Sequence, residues 1–128
     1  DPSIQGAPGK KDWIRVENPG DQEAWPIIKI YGPITDPLVE LAEVGGETIG
    51  IFQLGISVPS SRHIIIDTRP GQKTIILDDG TNLYRFLSPS LNNLFSIPPG
   101  QYEVFLFGTN KDGTTKIAVE LQPPYWGI

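Results

Sequence analysis

The chain has 128 residues, 38% of them hydrophobic and 20% charged, with a net charge of -5. That is enough apolar material for one core and too little chain for two, and the scattered Lys and Arg argue against nucleic acid, whose phosphates demand clustered cations. The absence of cysteine excludes disulfides, thiolate metal sites and a Cys nucleophile, and no apolar run approaches the ~20 residues of a bilayer-spanning helix, so membrane insertion is not expected.

In chain order, residues 1–11 combine Pro, Gly and polar side chains around one apolar anchor, Ile4, and are expected to be a flexible leader or linker. Residues 12–128 are expected to form a single domain. Short β-branched and aromatic runs recur from there: Trp13 to Val16, Ala24 to Tyr31, Leu38 to Val44, Thr48 to Val58, His63 to Asp67, Lys73 to Asp78, Leu83 to Leu87, Gln101 to Gly108 and Lys116 to Leu121. The pattern predicts an all-β domain of about nine strands folded as a two-sheet antiparallel sandwich. Phe52, Leu54, Ile56 and Val58 alternate with Gln53, Gly55 and Ser57, and Ile117, Val119 and Leu121 alternate with Ala118 and Glu120, each giving one inward apolar face. HIIID (residues 63–67) and EVFLF (residues 103–107) are apolar on both faces, so something is expected to pack outside the sandwich there. Gly45-Gly46, Pro70-Gly71, Asp79-Gly80, Pro99-Gly100 and Asp112-Gly113 mark turns, expected to make hairpins the dominant connection. SPSLNNLFS (residues 88–96) allows at most one short helical turn.

Candidate chemistry is sparse. His63 is the single histidine and has no Ser-His-Asp order or His-x-x-x-His spacing around it. Asp78-Asp79 and Glu40 with Glu43 lack the succession of oxygen ligands that calcium needs, so no metal site is expected. No phosphate-cradling glycine loop occurs, and no cofactor and no catalytic residue are expected: the chain is read as a binding or assembly domain rather than an enzyme. The residues singled out are turn formers, Asp67, Pro70, Gly71, Asp79, Gly80, Pro99 and Gly100, and three aromatics that could stack on sugar rings, Tyr84, Tyr125 and Trp126. Asp67 is expected to accept the Arg69 N–H ahead of a Pro70-Gly71 type II turn, with Asp67→Asn a mild change. Trp25, ahead of Pro26, is expected to cover one end of the core, at a cost of about 3–5 kcal/mol on Trp25→Ala.

Asn18-Pro19-Gly20-Asp21, Trp25-Pro26 opening a run that ends at Gly32-Pro33, Ile66-Asp67-Thr68, Asn82 and the Pro99-Gly100 turn follow one another in an order that resembles the C-terminal domain of distal tail and minor tail proteins of long-tailed phages (siphoviruses). The likeness runs from Asp12 to Trp126; Gln101-Tyr102 depart from it where relatives often carry asparagine after the Pro-Gly turn. The resemblance implies a galectin-like, jelly-roll β-sandwich on the rim of a baseplate ring, a virion structural protein made in the host cytoplasm. Its partners would be other phage tail or baseplate subunits, with a host cell-wall glycan as a further ligand. The ring itself is built in that family by an N-terminal belt domain, so these residues are expected to be an excised C-terminal domain or a short relative attached differently. The isolated domain is expected to be a monomer and the full-length protein a ring oligomer. The alternative is a carbohydrate-binding module recognising a cell-surface glycan.

Overall fold

The computed structural model describes residues 12–91 and 94–122. The expected leader, residues 1–11, lies outside them. Nine strands are present among the described residues: β1 (Trp13–Asn18), β2 (Trp25–Tyr31), β3 (Ile34–Glu43), β4 (Thr48–Gln53), β5 (Ser57–Val58), β6 (His63–Asp67), β7 (Thr74–Leu77), β8 (Gly100–Thr109) and β9 (Lys116–Gln122). They form two antiparallel sheets. One has four strands in the order β9-β2-β6-β7; the other has five, in the order β1-β8-β3-β4 with β5 also paired to β3.

Alternation builds the core. Ile28 and Ile30 of β2, Ile64 and Ile66 of β6 and Ile75 of β7 face inward from the four-stranded sheet and are buried. They meet Val39 and Leu41 of β3, Phe52 of β4 and Val104 and Leu106 of β8 from the other sheet. β-branched residues suit this pleated, one-sided burial. Residues 94–97 close one side of the core through Leu94, Phe95 and Ile97, with Ile97 bridged to Ala24. Phe95 reaches in because Gly50 of β4 has no side chain: a Cβ there would stand 2.7 Å from the Phe95 ring.

Three expectations change. Leu83–Leu87 is not a strand. Its centre, Tyr84–Phe86, is a 3-10 turn, because Asn82 Oδ1 accepts the Tyr84 N–H at 2.9 Å and the Phe86 and Leu87 N–H groups bond back to Leu83 and Tyr84. Leu83 and Leu87 both become buried. Thr48–Val58 is not one strand either. It breaks after Gln53, where the Gly55 N–H turns to the Phe86 carbonyl, although Phe52, Leu54 and Val58 stay buried and Ile56 partly so.

Hairpins, finally, are fewer than the turns. Gly45-Gly46 joins β3 to β4 and Pro70-Gly71 joins β6 to β7. Asp79-Gly80 instead folds Thr81–Leu83 back along β7, while Pro99-Gly100 and Asp112-Gly113 sit on links that cross between the sheets. A second 3-10 turn, Pro89–Leu91, lies in the segment expected to hold at most a short helix.

Candidate functional site

The turn residues are spent on the backbone. Asp67 Oδ1 accepts the Arg69 N–H at 3.0 Å, and the Gln72 N–H reaches the Arg69 carbonyl across Pro70 and Gly71, whose φ of 76° suits a type II turn. The Arg69 guanidinium also grips the same carboxylate, Nη2 to Oδ2 at 2.7 Å and Nε to Oδ1 at 3.0 Å. Burial alone would raise the Asp67 pKa, but the Arg69 side chain, its N–H and its charge outweigh that and hold the carboxyl below the ordinary value. The charge of Asp67 therefore has a partner of its own, so Asp67→Asn would keep the turn acceptor but remove an ion pair.

Asp79 Oδ1 accepts both the hydroxyl and the N–H of Thr81, and these bonds lower its pKa. Gly80 follows at φ 94°, a positive value that suits glycine. Gly100 opens β8 at φ 122°, beside a Tyr102 hydroxyl that donates to the Pro99 carbonyl at 3.0 Å. Asn18, which the sequence offers only as part of a motif, is a buried joint. Its Nδ2 donates to the carbonyls of Gln22 (2.8 Å) and Ile97 (2.9 Å), and its Oδ1 accepts the Gly20 N–H (3.0 Å).

On the outer face of the four-stranded sheet, Lys116, Tyr31 and His63 are register neighbours across β9, β2 and β6. The Tyr31 ring stacks on His63 with centroids 5.0 Å apart, and Lys116 Nζ lies 4.9 Å from its centre. His63 Nδ1 lies 3.5 Å from Asp78, which Arg62 also approaches at 3.3 Å. Tyr31 is flanked from both sides, so neither of its faces is a free stacking platform. Trp25 is not an end cap for the core. It points outward at the start of β2, half-buried, and lines a pocket with Asp21, Gln22, Glu23 and Pro99.

The outer face of the five-stranded sheet is different. Register places Trp13, Phe105, Glu40 and Ile51 in one row and Phe107, Leu38 and Gln53 in the next. The three aromatics form a strip, with ring centroids 6.0 Å apart for Trp13–Phe105 and 6.2 Å for Phe105–Phe107. Phe107 stays 47% exposed and Ile49, at the same sheet's β4 edge, 37%. No described element covers this face. The sequence signal for it was EVFLF, apolar on both sides; what could not be read was that Trp13, 92 positions away, would land beside Phe105. Carboxylates surround the strip: Glu40 within it, hydrogen-bonded by Thr48, and Glu103 held by Arg15 at 3.2 Å.

Of the three aromatics picked as sugar platforms, Tyr125 and Trp126 lie outside the described residues. Tyr84 lines a surface pocket of about 380 Å³ with Lys73, Thr74, Ile76 and Asn82, at the β7 edge of the four-stranded sheet. Among the described residues no group of three His, Asp or Glu side chains is placed to hold a metal.

A phage P2 baseplate, solved in its activated conformation with Ca, contains a chain similar to this one. The TM-score is 0.52, with 14% identity, 84% of this chain and 35% of that chain covered. At that identity the likeness is one of fold. This chain therefore spans about a third of the length of the chain it matches. No family model matches the sequence, and no curated protein does.

Proposed function

We propose that this sandwich is a structural domain of a phage tail, an outward-facing, galectin-like jelly-roll of the tail-tip or baseplate ring that docks on neighbouring tail subunits or on the host-adsorption machinery. It works by binding and not by catalysis, and it resides in the virion. The fold shared with a phage baseplate chain supports this reading. The observation that carries it is the Trp13–Phe105–Phe107 strip, an apolar sheet face of the kind protein contacts bury. Self-association through that face is opposed by Glu40, because two copies would bring like charges together in an apolar contact. The isolated domain is accordingly a monomer, and ring formation belongs to other parts of a longer protein.

An antibody raised against this chain should decorate the tail tip of virus particles that carry it. Labelling confined to the capsid would reject the assignment. Light scattering adds a second check, since a stable hexamer of these residues at micromolar concentration would mean that the domain holds its own ring interface.

Glycan recognition is the second reading, favoured by the pocket at Tyr84, where an aromatic ring stands among hydrogen-bonding side chains. Submicromolar binding of a defined sugar, lost when one exposed aromatic is replaced, would bring it to the front.

A further inference from the structure

The four-stranded sheet carries a row of outward residues that leads into the Tyr84 pocket. Lys29 on β2 is the register neighbour of Ile65 on β6, Ile65 of Ile76 on β7, and Ile76 of Asn82 on the segment folded back beyond the sheet edge. With neighbouring strands about 4.8 Å apart, the row is about 14 Å long. It is apolar in the middle and polar at its two ends.

The polar groups have spare capacity. Asn82 spends its Oδ1 on the Tyr84 N–H, but its amide nitrogen has no partner among the described residues. The same holds for the Lys29 and Lys73 ammonium groups, the Thr74 hydroxyl and the Tyr84 hydroxyl. The acids of this face are mostly engaged: Asp67 by Arg69, Asp78 by Arg62 and His63. Glu120, on β9 opposite Ile27, is a diagonal neighbour of Lys29 and stands on the side of it away from the pocket. On a chain of net charge -5, this row has Lys29 at one end and Lys73 in the pocket at the other.

We infer that this row and the Tyr84 pocket form a binding site for an anionic saccharide, an inference that rests on the glycan-binding reading above. A sugar ring has an apolar C–H face and an edge of hydroxyls. Ile65, Ile76 and the Tyr84 ring supply a floor for the first, while Thr74, Asn82 and the Tyr84 hydroxyl supply partners for the second. Lys29 and Lys73 select a carboxylate or a phosphate on the saccharide over a neutral sugar, because an ammonium bond to an ionised acceptor is stronger than a neutral one.

The test is an amide-resolved NMR titration with three probes: tetragalacturonate, glucose 1-phosphate and the neutral cellotetraose. The expected result is a set of shifts at Lys29, Thr74, Ile76, Asn82 and Tyr84 with one or both charged probes, the stronger of the two identifying the anion. Lys29→Gln should then weaken charged-probe binding about tenfold and leave cellotetraose unaffected. Tyr84→Phe, which keeps the packing of the ring, should weaken it by a smaller factor. Shifts confined to another surface would overturn this site while leaving the glycan-binding reading in place. Equal response to cellotetraose would overturn the anionic selectivity, and no shift with any probe would overturn both the site and the reading beneath it.

Discussion

The two sheets turn their inner faces to one core, but the outward groups around Tyr31 and Asp67 on one and the aromatic strip on the other are put to opposite uses. Across the four-stranded sheet the outward side chains near Tyr31 and Asp67 are closed on one another: Tyr31 between Lys116 and His63, Asp67 under Arg69, Asp78 beside Arg62. Across the five-stranded sheet Trp13, Phe105 and Phe107 stack on one another, and no described element covers the strip. The amino acids on the inner faces are nearly interchangeable in kind, so inward alternation explains folding and says nothing of function. The difference lies outside. Side chains satisfied by neighbours stabilise the sheet on which they stand; an aromatic strip that no described element covers stabilises it little.

That contrast can be broken most directly on one strand. Leu106 faces the core and Phe107, the next residue, faces outward. Leu106→Ala should cost about 2–5 kcal/mol in urea unfolding, from lost burial and a residual cavity. An effect below about 1 kcal/mol would mean that the inward and outward assignments of β8 are wrong.

Next in size is Asn18→Ala, which tests whether the two sheets are pinned where β1 ends. It strands the Gln22 carbonyl and the Gly20 N–H, takes one of two donors from the Ile97 carbonyl, which keeps the Ala24 N–H, and should cost about 2–3 kcal/mol. A near-wild-type unfolding curve would show that water replaces the amide without loss.

Asp67→Ala probes the closed face and should cost about 1–2 kcal/mol, as loss of a capping oxygen does. Asp67→Asn separates charge from turn. The folded pKa of Asp67 lies below its unfolded value, so the contribution of the carboxylate is fully present above an unfolded pKa of about 4 and is lost as pH falls through the lower, folded one. The stability gap between wild type and Asp67→Asn should be widest near neutrality and shrink in acid. A gap constant between about pH 7 and pH 2 would remove Arg69 from the explanation.

Smallest should be Phe107→Ser. Half-exposed and on the open face, it is expected to change stability by no more than about 0.5 kcal/mol, although it removes an aromatic from the proposed contact. A loss comparable to that of Leu106→Ala would mean that the strip is part of the fold and not an unspent surface.

Much of this architecture is local enough to be read from the chain. Period-two runs such as Phe52-Gln53-Leu54 and Ile117-Ala118-Val119 announce strands and their inward sides, and Pro70-Gly71 announces its turn, because each depends on residues a few positions apart. Leu83–Leu87 misled because its β-like composition competes with one hydrogen bond, Asn82 Oδ1 to the Tyr84 N–H, that starts a 3-10 turn. Trp25 misled because a tryptophan beside a proline says nothing about which side of the sheet it takes; that is decided by the register of β2 against β6 and β9. For the same reason the aromatic strip was only half visible. EVFLF declared an outer apolar face, but the row Trp13–Phe105–Glu40–Ile51 draws on four strands spread along the chain.

The pairing of β1 with β8 has a consequence for the order in which the domain can assemble. β1 begins at Trp13, yet its hydrogen-bonding partner starts at Gly100, and β8 is also what joins β1 to β3. During synthesis the early strand must wait, unpaired, for most of the sequence to emerge, while the β3–β4 and β6–β7 hairpins can form on their own. Closure of the five-stranded sheet is a late, long-range event, the type of loop closure that slows folding and keeps strand edges open to other chains in the meantime. A ribosome-bound chain ending before Gly100 should therefore hold its two hairpins without a finished sandwich, and protease protection of Trp13–Asn18 should appear only after residues through Thr109 have left the exit tunnel.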